Sequence, residues 1–151
     1  MKKLNFYFIL ILIGSSLNIC VSQTETSMQD IQDKVTAYTN QLQQNSYEVI
    51  NTTIEQVTKG GTKSFTKYLE SSSEYYVVVF GDDSIDKLTL DINNGTPSEL
   101  NYNSEAMHAN AAISIINSGG NSNCKFTVKN IKYNGGNVSG YFAVIVYRKN
   151  Q

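Results

Sequence analysis

Three aspartates in five residues stand out as candidate chemistry. Asp82, Asp83 and Asp86 sit on a short turn, with Asp91 further along. Calcium takes six to eight oxygen ligands on flexible loops, so carboxylates at this density could supply part of a calcium site. The spacing is not that of a twelve-residue helix–loop–helix calcium loop, and the other reading is a solvated acidic turn. His108 is the sole histidine, so any Ser-His-Asp or Cys-His catalysis would have to use it. No Gly-x-Ser-x-Gly nucleophile turn accompanies it. Cys124 opens an alternating apolar stretch and reads as an inward structural thiol, since reactive thiolates need electropositive, partly exposed surroundings. One histidine and two cysteines do not make a zinc site. Gly60-Gly61, Gly119-Gly120 and Gly135-Gly136 lack the lysine or helix context of a phosphate loop. Glu99 and Glu105 lie in a polar stretch with nothing to raise a carboxyl pKa for glycoside hydrolysis. No cofactor is called for, and the chain reads as non-enzymatic.

These residues are placed by elements whose periodicity changes once. From Ser27 to Lys59 the pattern is helical. Ser27 and Asp30 make a capping start, and Met28, Ile31, Val35, Tyr38 and Leu42 form one apolar stripe. The phase slips by one residue at Asn45-Ser46, and Tyr47, Ile50, Ile54 and Val57 make a second stripe. A helical segment over 27–59 is therefore expected, bent or broken at the slip and ended by Gly60-Gly61. Its stripe would either cover the protein's own sheet or form an oligomer seam.

From Thr62 the period becomes two, and residues 62–149 read as one β domain. Tyr75 to Phe80 is an unbroken run of aromatic and β-branched residues, apolar on both faces. Only Gly140 to Tyr147 matches it. Leu88, Leu90 and Ile92 alternate with Lys87, Thr89 and Asp91, and Cys124, Phe126 and Val128 alternate with Lys125, Thr127 and Lys129, so each has one solvated face. Further strands are expected at Lys63 to Leu69 and Ala109 to Ile116, with a polar loop from Ser98 to Met107. The expected fold is α+β: an antiparallel β-sandwich, jelly-roll or Ig-like, of about six to eight strands, with the N-terminal helix packed on one sheet. The two doubly apolar strands would share a sheet, covered by the second sheet on one side and by the helix on the other. Strand tyrosines are expected to pack, leaving Tyr102 and Tyr133 as the loop aromatics able to stack on a sugar.

The 151 residues are about one domain's length, 40% hydrophobic and 17% charged, enough to build a core. Lys2, Lys3 and the apolar run Leu4 to Ile13 have the layout of a secretory signal peptide over residues 1–22. The run is too short to span a bilayer. Removing it leaves 10 basic and 13 acidic residues, a net charge of −3, with no electrostatic footprint for nucleic acid. Secretion or a periplasmic location is expected. The alternative is a lipoprotein of the outer membrane anchored through Cys20, for which Leu17 stands three residues upstream.

The order helix, Gly61-x-x-x-Phe65-x-x-x-Leu69, a tyrosine-rich strand closing on Gly81-Asp82, an acidic turn, Ile85 to Ile92, and a final Ser139-Gly140-Tyr141 strand resembles the prepeptidase C-terminal (PPC) domain, a β-sandwich of secreted bacterial proteins. Lys87 and Thr89 stand where that pattern expects aspartate. The resemblance implies an accessory or binding module without catalytic residues. Its partner would be a protein or a glycan, and the helical stripe would offer an alternative role in oligomeric assembly.

Overall fold

The computed structural model describes residues 19–71, 73–95, 98–103, 112–116 and 122–150. Helix α1 (Ile19–Gln44) is followed by eight strands: β1 (Tyr47–Thr58), β2 (Thr62–Leu69), β3 (Glu74–Gly81), β4 (Ile85–Asn93), β5 (Ser98–Asn103), β6 (Ala112–Ile116), β7 (Ser122–Tyr133) and β8 (Ser139–Lys149). Two four-stranded antiparallel sheets form in the orders β1-β8-β3-β6 and β2-β7-β4-β5. Strands β1 to β4 alternate between the sheets, and β5 to β8 retrace the path beside them, which is the jelly-roll form of the expected sandwich.

The helical segment expected over 27–59 is corrected. It begins at Ile19, so Ser27 lies within the helix and does not cap it; it ends at Gln44, and Tyr47 to Thr58 is a strand. Seven of that strand's twelve residues are β-branched (Val49, Ile50, Thr52, Thr53, Ile54, Val57 and Thr58), and such side chains lose rotamer freedom in a helix but fit a pleated sheet. The phase slip at Asn45-Ser46 is the break itself. The Asn45 side chain donates to the Gln41 carbonyl at 2.7 Å, closing the last helical turn. Ser46 then takes a left-handed φ of 62° and turns the chain into the sheet. Gly60, at φ 70°, serves the β1–β2 turn instead of capping a helix. A second correction concerns the polar loop expected from Ser98: Ser98 to Asn103 pairs with β4 from Ile92 back to Lys87 as an edge strand. Glu99 and Asn101 face solvent, while Leu100 and Tyr102 are buried.

The two doubly apolar strands are neighbours, with Val77 opposite Val146 and Val79 opposite Val144. Both faces of β3 are covered, since Val77, Val78 and Val79 are fully buried and Phe80 nearly so. Between the sheets lie Val77, Val79, Phe142, Val144 and Val146 from one side. From the other come Leu88, Leu90, Ile92, Phe126 and Val128. On the outer face, α1 packs over β1 and β8. Its stripe of Met28, Ile31, Val35, Tyr38 and Leu42 joins the core cluster, with Ile31 and Leu42 buried. Truncating a fully buried side chain such as Ile31 costs about 2–5 kcal/mol, so the helix is bound to the sandwich as a third layer.

Candidate functional site

The acidic turn connects β3 to β4, and each of its carboxylates has its own protein partner. Asp82 is fully buried. Its Oδ1 accepts the Ser84 N–H at 3.0 Å and the Ser84 hydroxyl at 2.5 Å, and its Oδ2 accepts the Tyr141 N–H at 2.6 Å. The Asp82 N–H in turn donates to the Tyr141 carbonyl at 2.9 Å. Asp82 thus fastens the turn to the start of β8. Gly140 is there because a Cβ would lie 2.2 Å from Ser84 Oγ and 2.9 Å from the Asp82 carboxylate. Asp86, also buried, pairs with Lys132 at 2.6 Å. Asp83 is 89% exposed and pairs with Lys34 of α1 at 2.8 Å. Lys34 also bonds Asp30 at 2.8 Å, and Asp30 Oδ2 accepts the Asp83 N–H at 3.2 Å. Burial opposes the Lys34 charge, but hydrogen bonds to Asp30 and Asp83 outweigh it and hold the ammonium pKa above its ordinary value. Among the described residues, no three His, Cys, Asp or Glu side chains converge as a metal site would require.

Cys124 is buried and unpaired, and burial pushes its thiol up to about 11. It is a core side chain, far from the thiolate a nucleophile needs. Glu99 accepts the Asn101 amide on the solvent side of β5. His108 and Glu105 lie outside the described residues.

The concave feature of this face is the seam between α1 and the sheet beneath it. One groove of about 370 Å³ is lined by Lys34, Ala37, Tyr38, Gln41, Phe80, Gly81 and Tyr102. A second, of about 330 Å³, is lined by Tyr38, Gln41, Leu42, Asn45, Tyr47 and Lys149. The two share Tyr38 and Gln41. Lys34, Tyr38, Gln41 and Asn45 fall at helical spacings of four, three and four, so one rim of α1 borders the whole seam over about 16 Å. On the sheet side the first groove meets Phe80 and Tyr102, both largely buried, and the second meets Tyr47; Phe80 and Tyr47 belong to a larger aromatic cluster. Tyr38 lies 6.0 Å from Phe80 and 6.2 Å from Tyr147 by ring centroid. Tyr147 stacks on Tyr76 at 5.4 Å, and Tyr47 meets both edge-on. The Tyr102 hydroxyl donates to the Gly81 carbonyl at 3.4 Å and closes the floor.

The sequence reading misplaced the exposed aromatics. Tyr102 and Tyr133 are strand residues and buried, and the Tyr133 hydroxyl donates to the Val57 carbonyl. Half-buried rings are those of Tyr38, Tyr47, Phe65, Tyr76 and Tyr141, and Tyr68 is exposed; Tyr38, Tyr47 and Tyr76 cluster beside the seam. The helical stripe contained a signal for this site, because its polar flank, Lys34, Gln41 and Asn45, keeps the same spacing as the apolar residues it borders.

No sequence-family model and no curated protein sequence matches the chain. Solved structures resemble parts of it at low identity. The mitogen derived from Yersinia pseudotuberculosis is 11% identical, with 69% of this chain matching 88% of that one at a TM-score of 0.44. A carbohydrate-binding module, TmCBM61, solved in complex with β-1,4-galactotriose, is 12% identical over 70% of this chain and 83% of its own, at 0.38. The capsular polysaccharide assembling protein CapF from Staphylococcus aureus is 10% identical over 66% of this chain but only 24% of its own length, at 0.35. These are β-sandwich likenesses. No described helix is long and apolar enough to cross a membrane.

Proposed function

We propose that the protein is a secreted, non-enzymatic binding or accessory module that takes its ligand along the seam between α1 and the outer face of the β1-β8-β3-β6 sheet. One observation carries this reading. The seam carries two adjoining grooves that share Tyr38 and Gln41, with Phe80, Tyr102 and Tyr47 on the sheet side and a rim of Lys34, Gln41 and Asn45. Binding sites have this composition, an apolar lining with a few fixed polar groups. The carboxylates and the cysteine, which catalysis would need, are instead used in building the turn and the core. Export is supported by Lys2, Lys3 and the apolar run after them. A PPC-like role as an accessory sandwich fits the same picture.

The test is thermal unfolding against a panel of oligosaccharides, peptides and calcium, with light scattering on the same samples. A ligand-dependent rise in melting temperature that disappears in Gln41→Ala supports the module. No rise with any ligand class, together with a stable oligomer, would replace it with an assembly role. Mass spectrometry of the mature N-terminus distinguishes cleavage near Ser22 from lipidation of Cys20.

A further inference from the structure

We infer that the ligand of this groove is an uncharged oligosaccharide, an assignment that rests on the seam being a binding site. Charge complementarity is the first argument. Lys34 is bonded to both Asp30 and Asp83, so the cation at one end is already neutralised. Lys149, at the other end, is exposed at the mouth, with its charge in solvent. Between them the rim is Ala37, Gln41 and Asn45, side chains without charge. A phosphorylated or strongly acidic ligand finds no free cation in the middle of the seam, and a basic ligand finds no free acid.

The chemistry of the wall is the second argument. Aromatic faces carry a negative quadrupole and attract weakly positive C–H groups, such as those on the axial-hydrogen face of a pyranose. Tyr38 and Tyr47, both half-buried, offer rings along the seam, and Tyr38 sits where its two grooves meet. Each side-chain amide has both a donor and an acceptor and matches a ring hydroxyl, which is also both. Gln41 offers both from the rim, and Asn45, one turn on, has an amide N–H committed to the Gln41 carbonyl at 2.7 Å and offers its oxygen, so the two address successive positions along a chain lying in the groove.

The peptide alternative is weaker. An extended peptide bound by strand addition gains its affinity from free backbone donors and acceptors. The Gly81 carbonyl at the groove wall already accepts the Tyr102 hydroxyl and the Lys34 ammonium, both at 3.4 Å.

The test is isothermal titration of the intact protein with neutral gluco-, galacto- and manno-oligosaccharides, an acidic uronate oligosaccharide and an extended neutral peptide. Gln41→Ala removes an exposed amide, and Ala37→Glu adds an exposed charge to the rim; both leave the core untouched. A neutral oligosaccharide is expected to bind, with affinity falling at least tenfold in each variant. Binding should be unchanged in Tyr68→Ala on the opposite sheet. The inference is overturned if no neutral saccharide binds at millimolar concentration, or if binding ignores both rim variants. It is also overturned if only the uronate binds and Lys149→Gln abolishes it. Peptide binding lost in Gln41→Ala would sink the saccharide assignment while leaving the binding module standing.

Discussion

Asp82 accepts the backbone N–H of Tyr141 at 2.6 Å while returning its own N–H to the Tyr141 carbonyl at 2.9 Å. The turn after β3 and the first residues of β8 are therefore held as a pair, although they are 59 residues apart. A buried carboxylate with three donors contributes more than a neutral hydrogen bond, and its loss leaves backbone N–H groups unsatisfied. Asp82→Ala should lower unfolding free energy by about 3 kcal/mol, and Asp82→Asn by less, since one acceptor oxygen remains. Urea denaturation checks both. A cost within error of zero for the alanine variant would show the clasp to be dispensable.

The same partners bear on calcium. To ligate an ion together, Asp82 would have to leave Tyr141 and Asp86 would have to leave Lys132. Millimolar calcium is expected to leave the melting temperature where it stands in chelator. A rise that vanishes in Asp83→Asn would establish the turn as a calcium site.

Lys34 joins the helix to the sandwich through Asp83 and the Gly81 carbonyl. More than a third of its side chain is exposed, so the link is worth under about 1 kcal/mol. Lys34→Met should barely move global stability, yet it should speed amide exchange in α1 and do so less at high salt, where screening has already weakened the pair. The pKa is raised in the folded protein, so the contribution is complete below the ordinary lysine value of about 10.4 and is lost as pH climbs through the folded value. Helix protection should therefore be flat across neutral pH and decline only in strong alkali.

Cys124 keeps its proton. With the thiol pushed up to about 11 by burial, almost none is thiolate at pH 8. Reaction with a disulfide reagent should be slow in the native protein and immediate in denaturant. The sign for stability follows: the folded state holds the proton more tightly, so stability declines as pH rises above the ordinary thiol value of about 8.5. Cys124→Ser should retain the fold at a cost of about 1–3 kcal/mol for a hydroxyl in an apolar site.

Asn130 is buried on β7, and neither atom of its side-chain amide meets a protein partner. An orphaned buried amide costs about 1–3 kcal/mol, and an apolar replacement of similar shape removes that cost. Asn130→Leu or Asn130→Val should match or exceed the parent in urea. Losses in both would point to a water bound between the sheets.

Much of the sandwich was legible because burial writes a period-two pattern. Val77 to Phe80 and Phe142 to Tyr147 announced two covered faces, and the structure supplies a sheet inside and a helix outside. Tyr47 to Thr58 misled because Tyr47, Ile50, Ile54 and Val57 happen to repeat at three and four, while a register shift between Val49 and Asn51 breaks the strand's own alternation. The composition of that segment, rich in threonine, isoleucine and valine, was the better guide. The groove was only faintly legible: the helix was expected over the strands that hold Phe80 and Tyr147, and the polar flank Lys34, Gln41 and Asn45 kept the spacing of the stripe, but no local pattern states which rings the helix leaves half-covered. The acidic turn was visible from the start, but its structural role depended on Tyr141, Lys132 and Lys34, all distant in sequence.

The place of β8 has a consequence for how the chain becomes a protein. It follows the other seven strands in the chain, yet it lies between β1 and β3 and pairs with both. Until residues 139–149 exist, β1 has no partner in its sheet and β3 lacks its longer one. Such distant closures are slow to form, so the β1-β8-β3-β6 sheet cannot assemble before residues 139–149 have been made. A polypeptide that cannot fold early stays threadable, a property that the proposed export would use.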